Sequence, residues 1–178
     1  MRIISGDFKG RRIRTPKNLD VRPTTDMAKE ALFNILNNQY YFDEISVLDL
    51  FAGSGSISYE FASRGSSSIT AVDSNYTNLK FIKKTAEEFE MPITALRIDV
   101  FKYLETAGES FDIIFADPPY ALEVEEFEKI AQLIFDNNLL KENGSLIIEH
   151  SKKTDLAHIP YYSYSKNYGG SVFSFFGK

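Results

Sequence analysis

The feature that most constrains this chain is a repeated alternation. The apolar runs ISVLDLF, SSITAVD, ITALRID, FDIIFAD and GSLIIEH are separated by SISYEFASRG, NYTNLKFIKKTAEEFE, VFKYLET and VEEFEKIAQLIFDN, which carry helical periodicity. In the second of these helices Leu79, Ile82, Ala86 and Phe89 would face inward; in the last, Val124, Phe127, Ala131 and Ile134 form one stripe. Near-continuous apolar strands joined by helices imply a parallel sheet covered on both faces. The tail IPYYSYSKNYGGSVFSFFG reads as two strands around NYGG, which would give the sheet an antiparallel edge. The expected fold is therefore α/β and doubly wound, a Rossmann-like sheet with helices on both faces.

Ahead of the alternation stands a different segment. RIISG and GRRIRT read as two short strands around DFKG, a small N-terminal β-hairpin. LDVRPTT is a turn-rich link, and DMAKEALFNILNN places Ala28, Ala31, Leu32, Ile35 and Leu36 on one helical face, with Thr24, Thr25 or Asp26 as its cap. Residues 1–22 hold seven basic and two acidic side chains, a net +5 set against −10 for the remainder of a 178-residue chain. A basic arm on an acidic body suits a phosphate-binding edge; a solvated, positively charged hairpin explains it as well. The length fits one domain, with 1–22 as a basic extension and 23–178 as the α/β core. Cysteine is absent, which excludes a disulfide framework and a cysteine nucleophile and suits a reducing compartment. The N-terminus has no long apolar run, so no signal peptide or membrane span is expected.

Asp49, Asp73, Asp99 and Asp117 each lie at or near the C-terminal end of an expected strand. That edge is where open α/β sheets bind ligands. A single such Asp is commonly a cap or turn residue, but four together repel one another and lose solvation unless something donates to them. In DLFAGSGSIS, Gly53 and Gly55 permit a tight turn and a close backbone approach, and Asp73 is spaced to grip ribose hydroxyls. The third glycine of a dinucleotide fingerprint is replaced by Ser58, so a nucleoside lacking a pyrophosphate is expected. In Asp117-Pro118-Pro119-Tyr120 the prolines remove two N–H donors and keep their carbonyls. An Asp side chain beside a rigid carbonyl offers two acceptors to one exocyclic amine, and Tyr120 offers a face to a flat base brought out of its stack.

The set DLFAGSGS, AVDSN, RIDVF and FADPPY resembles, over roughly residues 45–150, the successive motifs of class I S-adenosylmethionine-dependent methyltransferases that modify exocyclic amines. With MRIISGDFKGRRI and RPTTDMAKEALFNIL added, nearly the whole chain resembles the bacterial 16S ribosomal RNA guanine-N2 methyltransferases of the RsmD type. The resemblance implies a cytoplasmic, monomeric enzyme using S-adenosyl-L-methionine and acting on N2 of guanine 966 of 16S rRNA, within the small ribosomal subunit or an assembly intermediate. With His158 the only histidine besides His150, no metal site is expected. By position the resemblance implies that Asp49, Phe51, Ala52, Gly53, Ser54 and Gly55 shape the methionine pocket, that Asp73 and Ser74 hold the ribose, and that Asp99, Val100 and Phe101 meet the adenine. Asp117, Pro118, Pro119 and Tyr120 would orient the guanine amine; Arg22, Pro23 and Thr24 would sit over the cofactor and the entering nucleotide; and Lys9, Arg11, Arg12, Arg14 and Arg22 would meet RNA. The chain departs from the family pattern at Lys29, where Arg is usual, at Asp73, where Glu is usual, and at ISYEFA, where L-G-L-E-A-L is frequent.

Other readings of the same residues are an adenine-N6 methyltransferase acting on DNA or RNA, which shares the D-P-P-Y logic, a dinucleotide oxidoreductase, which would leave D-P-P-Y without a use, and a non-catalytic RNA-binding assembly factor. His150 reads as a surface or edge histidine, Tyr161, Tyr162 and Tyr164 as members of an edge hairpin, and EVEEFEK as a solvated helix face.

Overall fold

The computed structural model describes residues 1–22 and 24–178; Pro23 lies outside the described residues. The strands are β1 (Ser46–Leu50), β2 (Ser68–Asp73), β3 (Ile93–Arg97), β4 (Phe111–Ala116), β5 (Leu140–Ser151), β6 (Tyr162–Tyr168) and β7 (Ser171–Phe176). The helices are α1 (Asp26–Asn37), α2 (Ser56–Ser63), α3 (Tyr76–Glu88), α4 (Val100–Thr106) and α5 (Val124–Asp136). The strands form one sheet in the order β3-β2-β1-β4-β5-β7-β6. From β3 to β5 all neighbours are parallel, while β7 pairs antiparallel with both β5 and β6. The order reverses between β1 and β4, which opens a crevice at their carboxyl ends.

Strand alternation builds two cores from the same strands. Val47, Ile113, Phe115 and Ile147 pack toward α1, α2 and α3. Leu48, Leu50, Ile114, Leu146 and Ile148 pack toward α4 and α5. The α1 face buries Ala28, Lys29, Leu32, Phe33 and Leu36, with Thr25 as the cap accepting from the Ala28 N–H. Phe33, Phe42 and Phe61 meet edge-on or tilted, with Phe33 and Phe61 centroids 4.6 Å apart, and lock α1 to α2. At the far edge Tyr164 stacks on Phe175, Tyr162 meets Phe176 edge-on and Tyr161 lies against Phe135, so the tail tyrosines serve packing.

The N-terminal arm departs from the expected pair of strands. Its regular pairing is a single antiparallel bridge, Arg2 with Arg12, flanked by hydrogen bonds from Ile3 N–H to Arg11 and from Ile13 N–H to Met1. The donors that could lengthen the ladder are used elsewhere. Ile4 and Ser5 N–H donate to the carboxylate of Glu60 at 2.9 and 3.0 Å, and Asp7 N–H donates to the Ser63 carbonyl. Gly6 passes so close to α2 that a Cβ there would lie 1.8 Å from the Ser63 oxygen, at a φ of +85° that favours glycine. The hairpin is thus a loop clamped onto α2.

Lys29, the expected arginine position, belongs to this clamp and is buried. Its Nζ donates to the Arg2 carbonyl at 2.7 Å and to Ser56 Oγ, and lies 3.6 Å from Glu60. Burial lowers its pKa, with Glu60 pulling the other way. No helix of the described residues is long and apolar enough to cross a membrane.

Candidate active site

Three of the four strand-end acids converge. Asp49, Asp73 and Asp117 line one cavity of about 360 Å³ over the ends of β1, β2 and β4. Phe51, Ala52, Gly53 and Ser54 form its wall with Ser74, and Pro118, Pro119 and Tyr120 form its outer lip. Arg22 and Thr24 reach it from the link that follows the arm.

The loop after β1 winds tightly. Phe51, Gly53 and Gly55 all have positive φ, at 56°, 56° and 84°. Such a conformation costs energy for a bulky phenylalanine and is held by its surroundings. The Ala52 N–H donates to Val72, and the Gly53 N–H donates to Asp73 Oδ2 at 2.8 Å. The second Asp73 oxygen accepts from Asn75 N–H, and Asn75 in turn caps α3. Each Asp73 oxygen thus takes one hydrogen bond from the backbone and keeps capacity for another, since an ionised carboxylate can accept about four. Gly55 has a packing duty as well. A Cβ there would lie 2.6 Å from the Tyr59 ring and 3.0 Å from Ile82, so this glycine is required from beneath the loop.

Asp49 is buried on the α2 side of β1 and accepts from Ser58 Oγ at 2.6 Å. Ser58, which stands where a dinucleotide fingerprint has its third glycine, therefore secures an acid. Burial pushes the Asp49 carboxyl up to about 7, against the pull of the Ser58 hydrogen bonds.

A residue missed in the sequence completes the other side. Glu149, at the end of β5, is fully buried. It accepts from Thr24 Oγ1 at 3.1 Å and from Arg22 Nη2 at 3.4 Å, and the same Arg22 nitrogen lies 4.0 Å from Asp117. Burial first, and then the negative charge of Glu149, raise the Asp117 pKa well above the usual carboxylate range, with Arg22 opposing. The Arg22 guanidinium carbon stands 3.4 Å from the centroid of the half-exposed Tyr120 ring. The Pro119 carbonyl accepts from Leu122 N–H, whereas the Pro118 carbonyl takes no hydrogen bond from the described residues.

The remaining expected residues are dispersed. Asp99 is exposed, caps α4 by accepting from Lys102 N–H, and does not line the cavity; nor do buried Val100 and half-buried Phe101. Lys9 and Arg11 are exposed on the arm, with Arg11 over the Phe89 ring, while Arg12 and Arg14 face α3. Arg22 alone of the basic set enters the cavity. His150 is buried rather than superficial: Nδ1 donates to the Ser151 carbonyl and Nε2 accepts from Ser174 Oγ, and burial lowers its pKa. His158 pairs with Glu128 at the surface. Among the described residues no group of three or more acids and histidines is arranged to hold a metal ion.

The cavity can thus accept hydrogen bonds at several strand ends, hold a planar group against Tyr120, and receive an amine between an acid and an unused carbonyl. Comparison with known proteins bears on what that combination serves. The family described as conserved hypothetical protein 95 matches residues 1–177. The Bacillus subtilis protein YlbH is 35% identical over 161 residues, covering 88% of this chain and 85% of its own. Ribosomal RNA small subunit methyltransferase D of Haemophilus influenzae is 33% identical over 163 residues, covering 88% and 81%. Among solved structures, yhhF from Escherichia coli superposes with a TM-score of 0.86 at 24% identity, covering 99% of this chain and 96% of the other, and shares the fold.

Proposed function

The chain belongs to the family described as conserved hypothetical protein 95, which relatives named ribosomal RNA small subunit methyltransferase D share, and on that premise we propose that it methylates small-subunit ribosomal RNA with S-adenosylmethionine as donor. The target in this reading is the N2 amine of a guanine, guanine 966 by the resemblance. The enzyme acts as a cytoplasmic monomer on the small subunit or an assembly intermediate.

The observation that carries the reading is the meeting of Asp117, the unused Pro118 carbonyl and the Tyr120 face in the cavity that Asp49 and Asp73 also line. The residues present fit the donor. Asp73 offers carboxylate lone pairs to ribose hydroxyls, the Phe51–Ser54 turn gives a close backbone wall, and Asp49 supplies a buried acid facing an amino-acid ammonium. An adenine role for Asp99, Val100 and Phe101 rests on the resemblance alone. When bound, S-adenosylmethionine supplies an electrophilic methyl on its sulfonium.

The chain's own residues do the rest. Tyr120 holds the extruded base by stacking. Asp117 and the Pro118 carbonyl accept the two amine hydrogens, which localises the nitrogen lone pair and aims it into the cavity. Fixing that approach converts orientation entropy into rate. Nitrogen would gain one carbon bond as the methyl–sulfonium bond breaks and its electron pair stays on sulfur, and nitrogen would shed one proton. Asp117, made more basic by burial and by Glu149, is positioned to take that proton directly or through water.

The test is transfer from labelled S-adenosylmethionine to small subunits lacking the modification, followed by nucleoside analysis. Labelled N2-methylguanosine is expected. Labelled N6-methyladenosine would replace the base assignment, and no label in the presence of bound donor would overturn the enzymatic reading.

A further inference from the structure

On the α3 side of the arm lies a second concavity, a groove of about 500 Å³. One wall is the arm, with Arg12 and Arg14; the other is α3, with Lys80 and Lys84. A single acid, Glu88, shares the lining. None of the four cations pairs with an acid among the described residues, and all four are exposed. This arrangement is costly in isolation. Lys80 and Lys84 are one turn apart on α3, and like charges at that spacing destabilise a helix. It is also unusual on a chain with a net charge of −5. A concentration of unpaired positive charge on such a chain makes a local site for a polyanion.

Two further observations define the polyanion's course. The groove is preformed, because the arm is fastened at two points: Glu60 accepts from Ile4 and Ser5, and Phe8 and Arg11 pack on Phe89, the residue that caps the C-terminus of α3. The groove also borders the active cavity. Thr77 lines the groove and its neighbour Asn78 lines the cavity, while on the other wall Asn18 lines the groove and Asp20 the cavity.

We infer that this groove binds the RNA phosphodiester backbone flanking the target nucleotide, with Lys80 and Lys84 of α3 as one half of the clamp and Arg12 and Arg14 as the other. The inference rests on the ribosomal RNA methyltransferase reading and deepens it: the arm does not meet RNA alone but closes a channel with a helix of the catalytic core. Phosphates in the channel fix the strand's register, and the target base then turns into the cavity past Asn78. These contacts carry no sequence information of their own.

The test uses the full chain with the double reversal Lys80→Glu/Lys84→Glu. A matched reversal on the α4–α5 layer, Lys102→Glu/Lys129→Glu, controls for net charge. Filter binding to unmodified small-subunit ribosomal RNA over a salt series reads the contacts directly. Loss of two phosphate contacts lowers the slope of log K against log salt by about 1.4 to 1.8. In steady-state transfer to small subunits, KM for RNA should rise tenfold or more, with kcat and S-adenosylmethionine affinity within twofold of the parent. A slope and KM equal to those of the Lys102/Lys129 control would overturn the groove. Failure of the enzymatic reading looks different: the parent itself would then transfer no methyl to RNA, and the binding slope would still decide the groove.

Discussion

Arg22 stacks on Tyr120, its guanidinium carbon 3.4 Å from the ring centroid, and directs Nη2 toward Asp117 and Glu149. The pairing shows what the lip of the cavity accepts: a planar group with amine hydrogens, flat on the tyrosine and facing the acids. The N1–C2–N3 edge of guanine with its 2-amino group is the same guanidine array, so on the proposed reading an entering guanine should displace Arg22 from the ring. Base–aromatic stacking contributes about 1–3 kcal/mol. Tyr120→Ala should therefore lower kcat/KM for RNA by roughly 5- to 150-fold. Tyr120→Phe should stay close to the parent, because stacking uses the ring and not the phenol. Equal activity of the alanine variant would remove Tyr120 from base binding.

On the proposed reading Asp117 is the acid next to the reacting amine, so its loss should act on turnover. Asp117→Ala is expected to lower kcat by about 10²-fold or more, the scale of one preorganised polar contact at a reacting centre. S-adenosylmethionine affinity, measured by calorimetry, should change little. Wild-type-like turnover in this variant would sink the amine-orienting role.

On the same reading Glu149 would set the working range of Asp117 from behind it, as a positioning residue. Its charge is the second cause, after burial, of the raised Asp117 pKa. Glu149→Gln keeps an acceptor for Thr24 and removes that charge. The acid limb of the kcat/KM profile should then move to lower pH, since Asp117 ionises more readily. An unmoved limb would mean that another group controls it.

Much of this architecture was legible because burial leaves a periodic record. Strands covered on both faces must be apolar throughout, so β1, β2, β4 and β5 are visible as runs, and the acids ending them mark the ligand edge. Glu149 carries the same mark, an acid closing LIIE, but a strand-end acid followed by a histidine reads equally as an exposed edge, whereas both residues are buried. Asp99 illustrates the reverse. A strand-end acid is equally a helix cap, and here it caps α4 two residues beyond β3. The clamp of Lys29 and Glu60 leaves no periodic trace, because a buried ion pair 31 residues apart depends on how two helices and the arm pack together. The missing ladder of the arm has the same origin, since its donors are taken by a side chain of α2.

Asp49 should make cofactor binding pH-dependent. Burial pushes its carboxyl up to about 7 in the folded protein, above the usual value of about 4. The folded state keeps a proton that the unfolded chain releases, so this group's contribution to the stability of the ligand-free protein is present below pH 4 and is lost as pH rises toward 7. The full effect is on the order of 4 kcal/mol. A cationic ligand beside Asp49 favours its ionised form, so S-adenosylmethionine should bind more tightly as pH rises from about 6 to 8 and should release protons. Calorimetry at pH 6.5 in two buffers of different ionisation enthalpy reads that release. Asp49→Asn should abolish it. An unchanged proton count in Asp49→Asn would assign the release elsewhere.

Glu60 should be worth more to the arm than to the catalytic cavity. It is fully buried and receives Ile4 N–H, Ser5 N–H and Arg64 Nε, with Lys29 beside it. Removing one partner of such a buried pair leaves an uncompensated charge and costs about 3–5 kcal/mol. Glu60→Gln should therefore lower the melting temperature markedly. Adding Lys29→Met should recover part of the loss, because the stranded ammonium is then gone. The Ile4 and Ser5 amides provide the local readout. They should exchange with solvent much faster in Glu60→Gln, while amides in β1 and β4 slow or quicken only with global stability. RNA affinity should fall with arm protection, since the groove loses its fixed wall, and S-adenosylmethionine affinity should hold at temperatures where the core stays folded. Uniform loss of protection across arm and core would instead make Glu60 a general core residue with no particular hold on the arm.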